Sequence, residues 1–304
     1  MTRTAANMLL LLIGALWGLG FVAQSTAMDA IAPLYFTGIR FGVGALVLLP
    51  FALFESRKQN ATPITRKQTG QFIALGCLLF GALAFQQVGL LTTSITNSGF
   101  LTGTYVLLVP ILAVIVLRQR PHFVVWPGCL LVLAGIYLLS GGNLAALTIG
   151  DAQTLVCAVF WAAHVLYLGQ VAGGKQGVFR LAFIQFTVCA VLGVLGGLAV
   201  ETVDITAITN ALPEILFAGG VSGGVAFTLQ AIAQRHTTAS QAAIFMSSES
   251  LFAALFGAWF LNERIGTIGL FGCALIFAAI LLVELLPAWQ VQRAKTPADN
   301  AHEI

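Results

Sequence analysis

The stretch FQQVGLLTTSITNSG, residues 85–99, returns at residues 229–243 as LQAIAQRHTTASQAA. Gln86 falls on Gln230, Thr93 on Thr237 and Asn97 on Gln241, an offset of 144. The same offset carries ALWGLGFV (15–22) onto VFWAAHVL (159–166), so Trp17 meets Trp161. It also carries LRQRPHFVVWPGCLLVLAG (117–135) onto LNERIGTIGLFGCALIFAA (261–279), matching Arg120 to Arg264 and Cys129 to Cys273. One offset kept throughout marks a duplication. What was duplicated follows from composition.

Of 304 residues, 59% are hydrophobic and 8% charged, whereas soluble domains carry about 25% charged residues. The mean hydropathy is +0.95. This is the composition of an all-α integral membrane protein. Apolar runs near the roughly 20 residues that a span requires lie at 8–27, 33–54, 69–90, 96–117, 122–140, 152–170, 180–200, 213–233, 239–261 and 266–286. Ten transmembrane helices are therefore expected, five per copy. The first repeat is expected over residues 1–140 and the second over 141–288. A cytoplasmic tail follows over 289–304, its end VQRAKTPADNAHEI expected to be disordered. The start, MTRTAANMLLLLIGALWGLGFVA, has the cast of a signal peptide, but its internal partner around Trp161 predicts a retained helix.

Charge sets the orientation. With the N terminus cytoplasmic, twelve of the fourteen Lys and Arg residues fall on the inside; Arg264 lies outside and Arg40 within a span. Such asymmetry predicts a multi-pass protein of the inner or plasma membrane with both termini in the cytoplasm. An odd number of spans per copy makes the two copies insert in opposite directions. That inverted plan is common among secondary transporters, whose substrate sites lie near the midplane between the halves.

Trp17 after a Gly/Ala-rich first span, IRFGVGALVLLP (39–50), TTSITNSGFL (92–101) and FLNERIGTIGLFGCALIFAA (260–279) together resemble the EamA family of the drug/metabolite transporter superfamily. The likeness runs from about residue 8 to about residue 286. Departures are Gln119, where an acidic residue is expected, followed by His122, and Ile184-Gln185 where the first half has Arg40. The resemblance implies a central cavity ringed by spans one to four and six to nine, with spans five and ten peripheral. It implies export of amino acids, other small metabolites or drugs; relatives in the wider superfamily move phosphorylated compounds and sugar nucleotides.

Several residues are candidates for the path. Asn97 and Thr104 in span four are seven apart, as are Gln241 and Ser248 in span nine, so each pair shares a helix face. Hydroxyls that bond their own backbone give the same spacing. Tyr105 is the repeat partner of Glu249, which lies about 19 Å from the outer end of span nine. An ionisable group at that depth faces water or a partner, so Glu249 is a candidate for substrate binding and proton coupling. Trp17 and Trp161 fall near mid-span, away from the headgroup belt, as opposite aromatic walls or as packing. His164, three residues after Trp161, is a second proton-coupling candidate or a hydrogen-bonded structural histidine. Gln24, Gln86, Gln185 and Gln230 fall near the cavity mouths.

Arg40 lies roughly 10 Å deep in span two. Turned inward, it biases the cavity towards anionic groups; turned outward, it snorkels as an anchor. Gly38 and Gly42 beside it form a GxxxG stripe suited to close helix packing.

Rival classes fit less well. GGVSGG (219–224) resembles the nucleophile motif of intramembrane serine proteases, but His164 precedes Ser222, the reverse of the expected order, and ten duplicated spans serve no purpose in proteolysis. One intramembrane cation suits a phosphorylated solute poorly. No P-loop or metal-ligand spacing is present, and the five cysteines all lie in apolar runs as small hydrophobes. The expected partners are the lipid bilayer and a small-molecule substrate, with proton coupling and facilitated diffusion both open; no cofactor and no nucleic acid are expected. The sequence leaves the oligomeric state, the substrate and the transport direction open.

Overall fold

The computed structural model describes residues 1–28, 30–58, 63–93, 95–139, 148–173, 177–202, 204–260 and 264–299, with the side chains of all but 95–97 and 287–299. The described residues form helices and their connections, without strands. Span one is Arg3–Met28, span two Pro33–Ser56, span three Arg66–Gly89 and span four the pair Ile95–Gly103 and Tyr105–Ile115. Span five is Val125–Leu139, span six Ile149–Ala172 and span seven Val178–Val200. Span eight comprises Leu212–Leu216, a π-helix over Phe217–Val225 and Ala226–Ala233. Span nine is Ala239–Met246 with Ser248–Phe260, and span ten begins the helix Thr267–Asp299.

Nine of these stretches have the length and hydropathy to cross a bilayer; Val125–Leu139 is apolar but only 15 residues long. The chain is thus an all-α membrane protein of ten apolar helices. The last helix runs past residue 286 to Asp299, so most of the end expected to be disordered is helical. Gln290, Gln292, Arg293, Ala294 and Lys295 are good helix formers and extend the span.

Local chemistry sets the helix starts. Thr65 and Gln68 form a reciprocal capping box at span three, and Thr148 and Asp151 another at span six. Each ties down backbone N–H groups that a helix start leaves unpaired. Pro33 opens span two, where its missing N–H costs nothing.

Packing follows the offset of 144. Span one packs on span nine as span six packs on span four; span three packs on span six as span eight packs on span one. Spans two and seven, like five and ten, pair with one another. Glycines permit the closest approaches: a Cβ on Gly38 would lie 2.6 Å from the backbone N of Val194, and one on Gly272 would lie 2.4 Å from the carbonyl oxygen of Gly135. Gly42, the other half of the expected stripe, has its nearest neighbour at 4.0 Å. Gly44 fills that role instead, against Gly219 and Phe186.

The span two–span seven pair is clamped at both ends. The N–H groups of Leu34 and Tyr35, which open span two, donate to the two carboxylate oxygens of Glu201, just past span seven, at 2.8 and 2.9 Å. At the opposite end the N–H of Arg180, in the first turn of span seven, donates to Oε2 of Glu55 at the end of span two, at 3.0 Å. Each helix ends in a carboxylate that caps the other's N terminus, which also complements the helix dipoles.

Spans four and nine are broken at matching depths. Thr104 donates its hydroxyl to the carbonyl of Leu101, and Ser247 to that of Ile244, both at 2.6 Å. These side-chain bonds compete with the helix ladder. Leu46, Phe54, Ile115, Leu130 and Phe271 point outward, a lipid-facing apolar coat, while Trp17, Phe41, Tyr105, Trp161, Phe186 and Phe227 join one central core.

Candidate functional site

A cavity of about 500 Å³, counting the space at its mouth, opens between spans one, two, three, four, six, eight and nine. Its lining includes Phe21 and Gln24 from the distal part of span one, Leu83 and Gln86 from the end of span three, and Thr102 from span four. These positions put the cavity in the half of the molecule remote from the N terminus. The near half is filled by fully buried Leu10, Ile13, Leu79, Val106, Ile244 and Phe245.

The floor is aromatic. Trp17 and Trp161, mates under the offset, meet at 5.7 Å between ring centroids, and Phe227 lies 5.0 Å from Trp17 and 5.8 Å from Trp161. Phe41 closes the cluster 6.0 Å from Phe227. Such tilted and edge contacts are the favoured geometries for aromatic pairs. The indole N–H of Trp17 donates to the carbonyl of Ser222 at 3.1 Å, tying the floor to the π-helix of span eight. That π-helix exists where Gly219 presses against the carbonyl of Arg40, 2.3 Å from where a Cβ would stand. π-Helical turns are frequent at functional sites, and Ala218, Ser222 and Gly223 of this one line the cavity.

Arg40 enters the cavity wall from span two. Its guanidinium lies 4.9 Å from the centre of the Phe36 ring and 5.3 Å from that of Phe41, a cation–π setting. Nε and Nη2 are buried without a hydrogen-bond partner among the described residues. Glu249, 6% exposed, lines the same cavity from span nine. Arg180 and Glu55 form an ion pair at 3.8 Å; Arg40 and Glu249 do not pair with each other.

Of the sequence candidates, Trp17, Arg40, Trp161 and Glu249 therefore line one cavity, together with Gln24 and Gln86. The Gln86 amide donates to Thr102 at 3.2 Å. Tyr105 and His164 lie one turn deeper, beneath Trp161: Tyr105 stands edge-on to it at 6.4 Å, and His164 stacks on it at 5.6 Å while bonding Gln185 at 3.2 Å. Thr104 is turned to its own backbone. Ser248 packs against Gly14. Gln241 sits in the first turn of span nine, its side chain accepting from Thr237 at 3.2 Å. Asn97 falls in the helix Ile95–Gly103, but its side chain lies outside the described residues. Phe41, Phe227 and Cys157 also line the cavity, and the sequence reading did not single them out. Phe41 adjoins Arg40, a usable signal; Phe227 and Cys157 carry none.

This arrangement sets a guanidinium, a carboxylate and aromatic faces around one cavity, chemistry suited to an anionic, a cationic and an apolar group respectively.

Comparison with known proteins agrees with a carrier. A model described as the EamA-like transporter family matches residues 4–141 and again residues 148–285. The two matches are displaced by the same 144 residues as the internal duplication. An "Uncharacterized transporter" of Archaeoglobus fulgidus is 31% identical over 286 residues, covering 93% of this chain and 87% of that one. The "Uncharacterized transporter YwfM" of Bacillus subtilis is 26% identical over 310 residues, 97% of each chain. A solved structure titled "Crystal structure of protein" superposes with a TM-score of 0.79 at 18% identity, over 94% of this chain and 98% of that one. The chain is a membrane transporter and belongs to the EamA-like transporter family.

Proposed function

We propose that this transporter exports small zwitterionic metabolites, amino acids foremost, across the cell membrane by alternating access between two inverted five-helix repeats. The observation that carries the reading is the shared cavity of Arg40 and Glu249: a guanidinium whose Nε and Nη2 have no partner, and a carboxyl in no ion pair, among the described residues, above an aromatic floor. Arginine's planar fork matches a carboxylate with two parallel hydrogen bonds. Glu249, with the indole faces of Trp17 and Trp161, suits an ammonium group. The rings below suit an apolar side chain. A phosphorylated solute, with more negative charge than one arginine balances, fits less well.

The charge distribution supports both termini in the cytoplasm, so the cavity of this conformation faces outward. Under the offset, spans one and nine exchange places with six and four, and spans two and seven pair with each other. That symmetry supports rocking of one repeat against the other. Glu249 is the carrier if protons are coupled. Ser222 gives its carbonyl to Trp17 and His164 bonds Gln185, so neither contact supports a Ser–His pair for peptide hydrolysis. The second reading is an amphipathic drug, favoured by the size of the aromatic floor.

The deciding experiment is release from proteoliposomes of a labelled panel containing leucine, phenylalanine, threonine, lysine and glutamate, with and without an imposed pH gradient. Selective release of neutral amino acids fits the proposal. No release of any member by folded protein sinks the amino-acid reading, and efflux of a lipophilic cation in its place favours the drug reading.

A further inference from the structure

Beneath the aromatic floor the molecule is packed shut, yet polar side chains are buried there. On three spans the residue one turn beyond a cavity-lining residue is polar: Tyr105 follows Thr102, His164 follows Trp161 and Gln230 follows Phe227. Residues three apart share a helix face, so His164 and Gln230 continue the cavity wall inward, and Tyr105, just past the break at Thr104, joins them edge-on to Trp161. All are fully buried. Tyr105 Oη, His164 Nδ1 and both amide atoms of Gln230 have no hydrogen-bond partner among the described residues. Gln185 joins them from span seven: its Oε1 meets His164 Nε2 at 3.2 Å, and its Nε2 is unpartnered.

Orphaned donors and acceptors gathered at one level of a packed bundle are costly. Apolar residues of similar volume would fill this level better if the present packing were the only one the chain adopts. The duplication indicates the other packing. Under the offset of 144, Gln230 is the mate of Gln86, Tyr105 of Glu249 and Gln185 of Phe41. Those three mates all line the open cavity. Exchange of roles between the repeats opens the closed half and places Gln230, Tyr105 and Gln185 on its wall.

We infer that Tyr105, His164, Gln185 and Gln230 form a second solute subsite, built from hydrogen-bonding groups rather than an Arg and a Glu, exposed when the half nearer the N terminus opens. It rests on the transport reading above. It receives the carboxylate and amino groups of the same solute through phenol, imidazole and amide groups.

Two measurements test it. With the five native cysteines replaced by alanine, Gln86→Cys and Gln230→Cys are reconstituted and treated with a charged, membrane-impermeant maleimide from one face at a time. Gln86→Cys is expected to react from one face and Gln230→Cys from the opposite face, each with a preference of about tenfold or more. Reaction of Gln230→Cys from neither face, or from the face that labels Gln86→Cys, overturns the subsite and leaves the transport reading standing. Inert Gln86→Cys overturns the cavity, and both proposals with it. The second measurement uses Gln230→Leu in the otherwise native chain. Melting at or above the wild-type temperature, with release of the amino-acid panel slowed about tenfold, is expected of a group that works only in the other state. A lower melting temperature with unchanged release makes Gln230 a packing residue and overturns the inference.

Discussion

Arg40 and Glu249 look into one cavity from spans two and nine, and neither is neutralised by a described protein group. An arginine kept for anchoring would find carbonyls or a carboxylate; here its contacts are the rings of Phe36 and Phe41. The folded protein therefore gains little from the Nε and Nη2 donors. Arg40→Gln should keep its melting temperature while release of solutes bearing a carboxylate falls at least about tenfold. Arg40→Lys, which keeps the charge but not the fork, should fall between. A large drop in melting temperature would return Arg40 to the role of structural anchor.

Glu249 bears on coupling. If it carries the proton, Glu249→Gln should still exchange labelled solute across the membrane in the absence of a gradient. It should no longer accelerate net release when a pH gradient is imposed. The comparison is made in the same vesicles by adding and collapsing the gradient. An undiminished response in the variant would assign coupling elsewhere, with His164 next in line.

The glycines of span two separate packing from spacing. Gly38 has backbone atoms of span seven 2.6 Å from a Cβ position, whereas Gly42 has only a methyl at 4.0 Å. Gly38→Ala should therefore cost about 1–3 kcal/mol through overpacking. Gly42→Ala should be neutral or slightly stabilising, since alanine is the better helix former by about 1 kcal/mol. Thermal unfolding in one detergent decides it. Equal costs for the two would mean that spans two and seven pack in another register.

The duplication, the apolar spans and the two-repeat architecture were legible because they need only transfer energies and self-comparison. Arg40, Glu249, Trp17 and Trp161 stood out for a related reason: a charge or an indole deep in a span is expensive or misplaced, and composition displays it. What stayed hidden depends on partners. The spacing of Asn97 and Thr104 defines a face, but whether a hydroxyl looks into a pore or at Leu101 is decided by the helix break at Thr104. GxxxG spacing marks Gly38 and Gly42 alike, yet span seven brings its backbone against only the first and a methyl at 4.0 Å to the second. Phe227, one of 22 phenylalanines, becomes the centre of the floor because a π-helix precedes it. Within that π-helix Gly219 lies against the backbone of span two, a contact that no local propensity displays.

The reciprocal caps of spans two and seven make the last prediction. Glu201 takes two N–H groups at one end of the pair, and Glu55 takes one N–H and lies 3.8 Å from Nε of Arg180 at the other. Removing a side-chain cap costs about 0.5–2 kcal/mol, so Glu201→Ala and Glu55→Ala should each lower stability by that order. The sites stand at opposite ends of a span of roughly 30 Å, too far to share partners, so the double variant should show the sum within about 0.5 kcal/mol. Transport offers a sharper distinction. If spans two and seven move as one clamped body, loosening either end should slow exchange alike from both faces of the membrane. If the pair parts at one end during each cycle, only the variant at that end should leave the rate unchanged or raise it, and the clamp would be a gate.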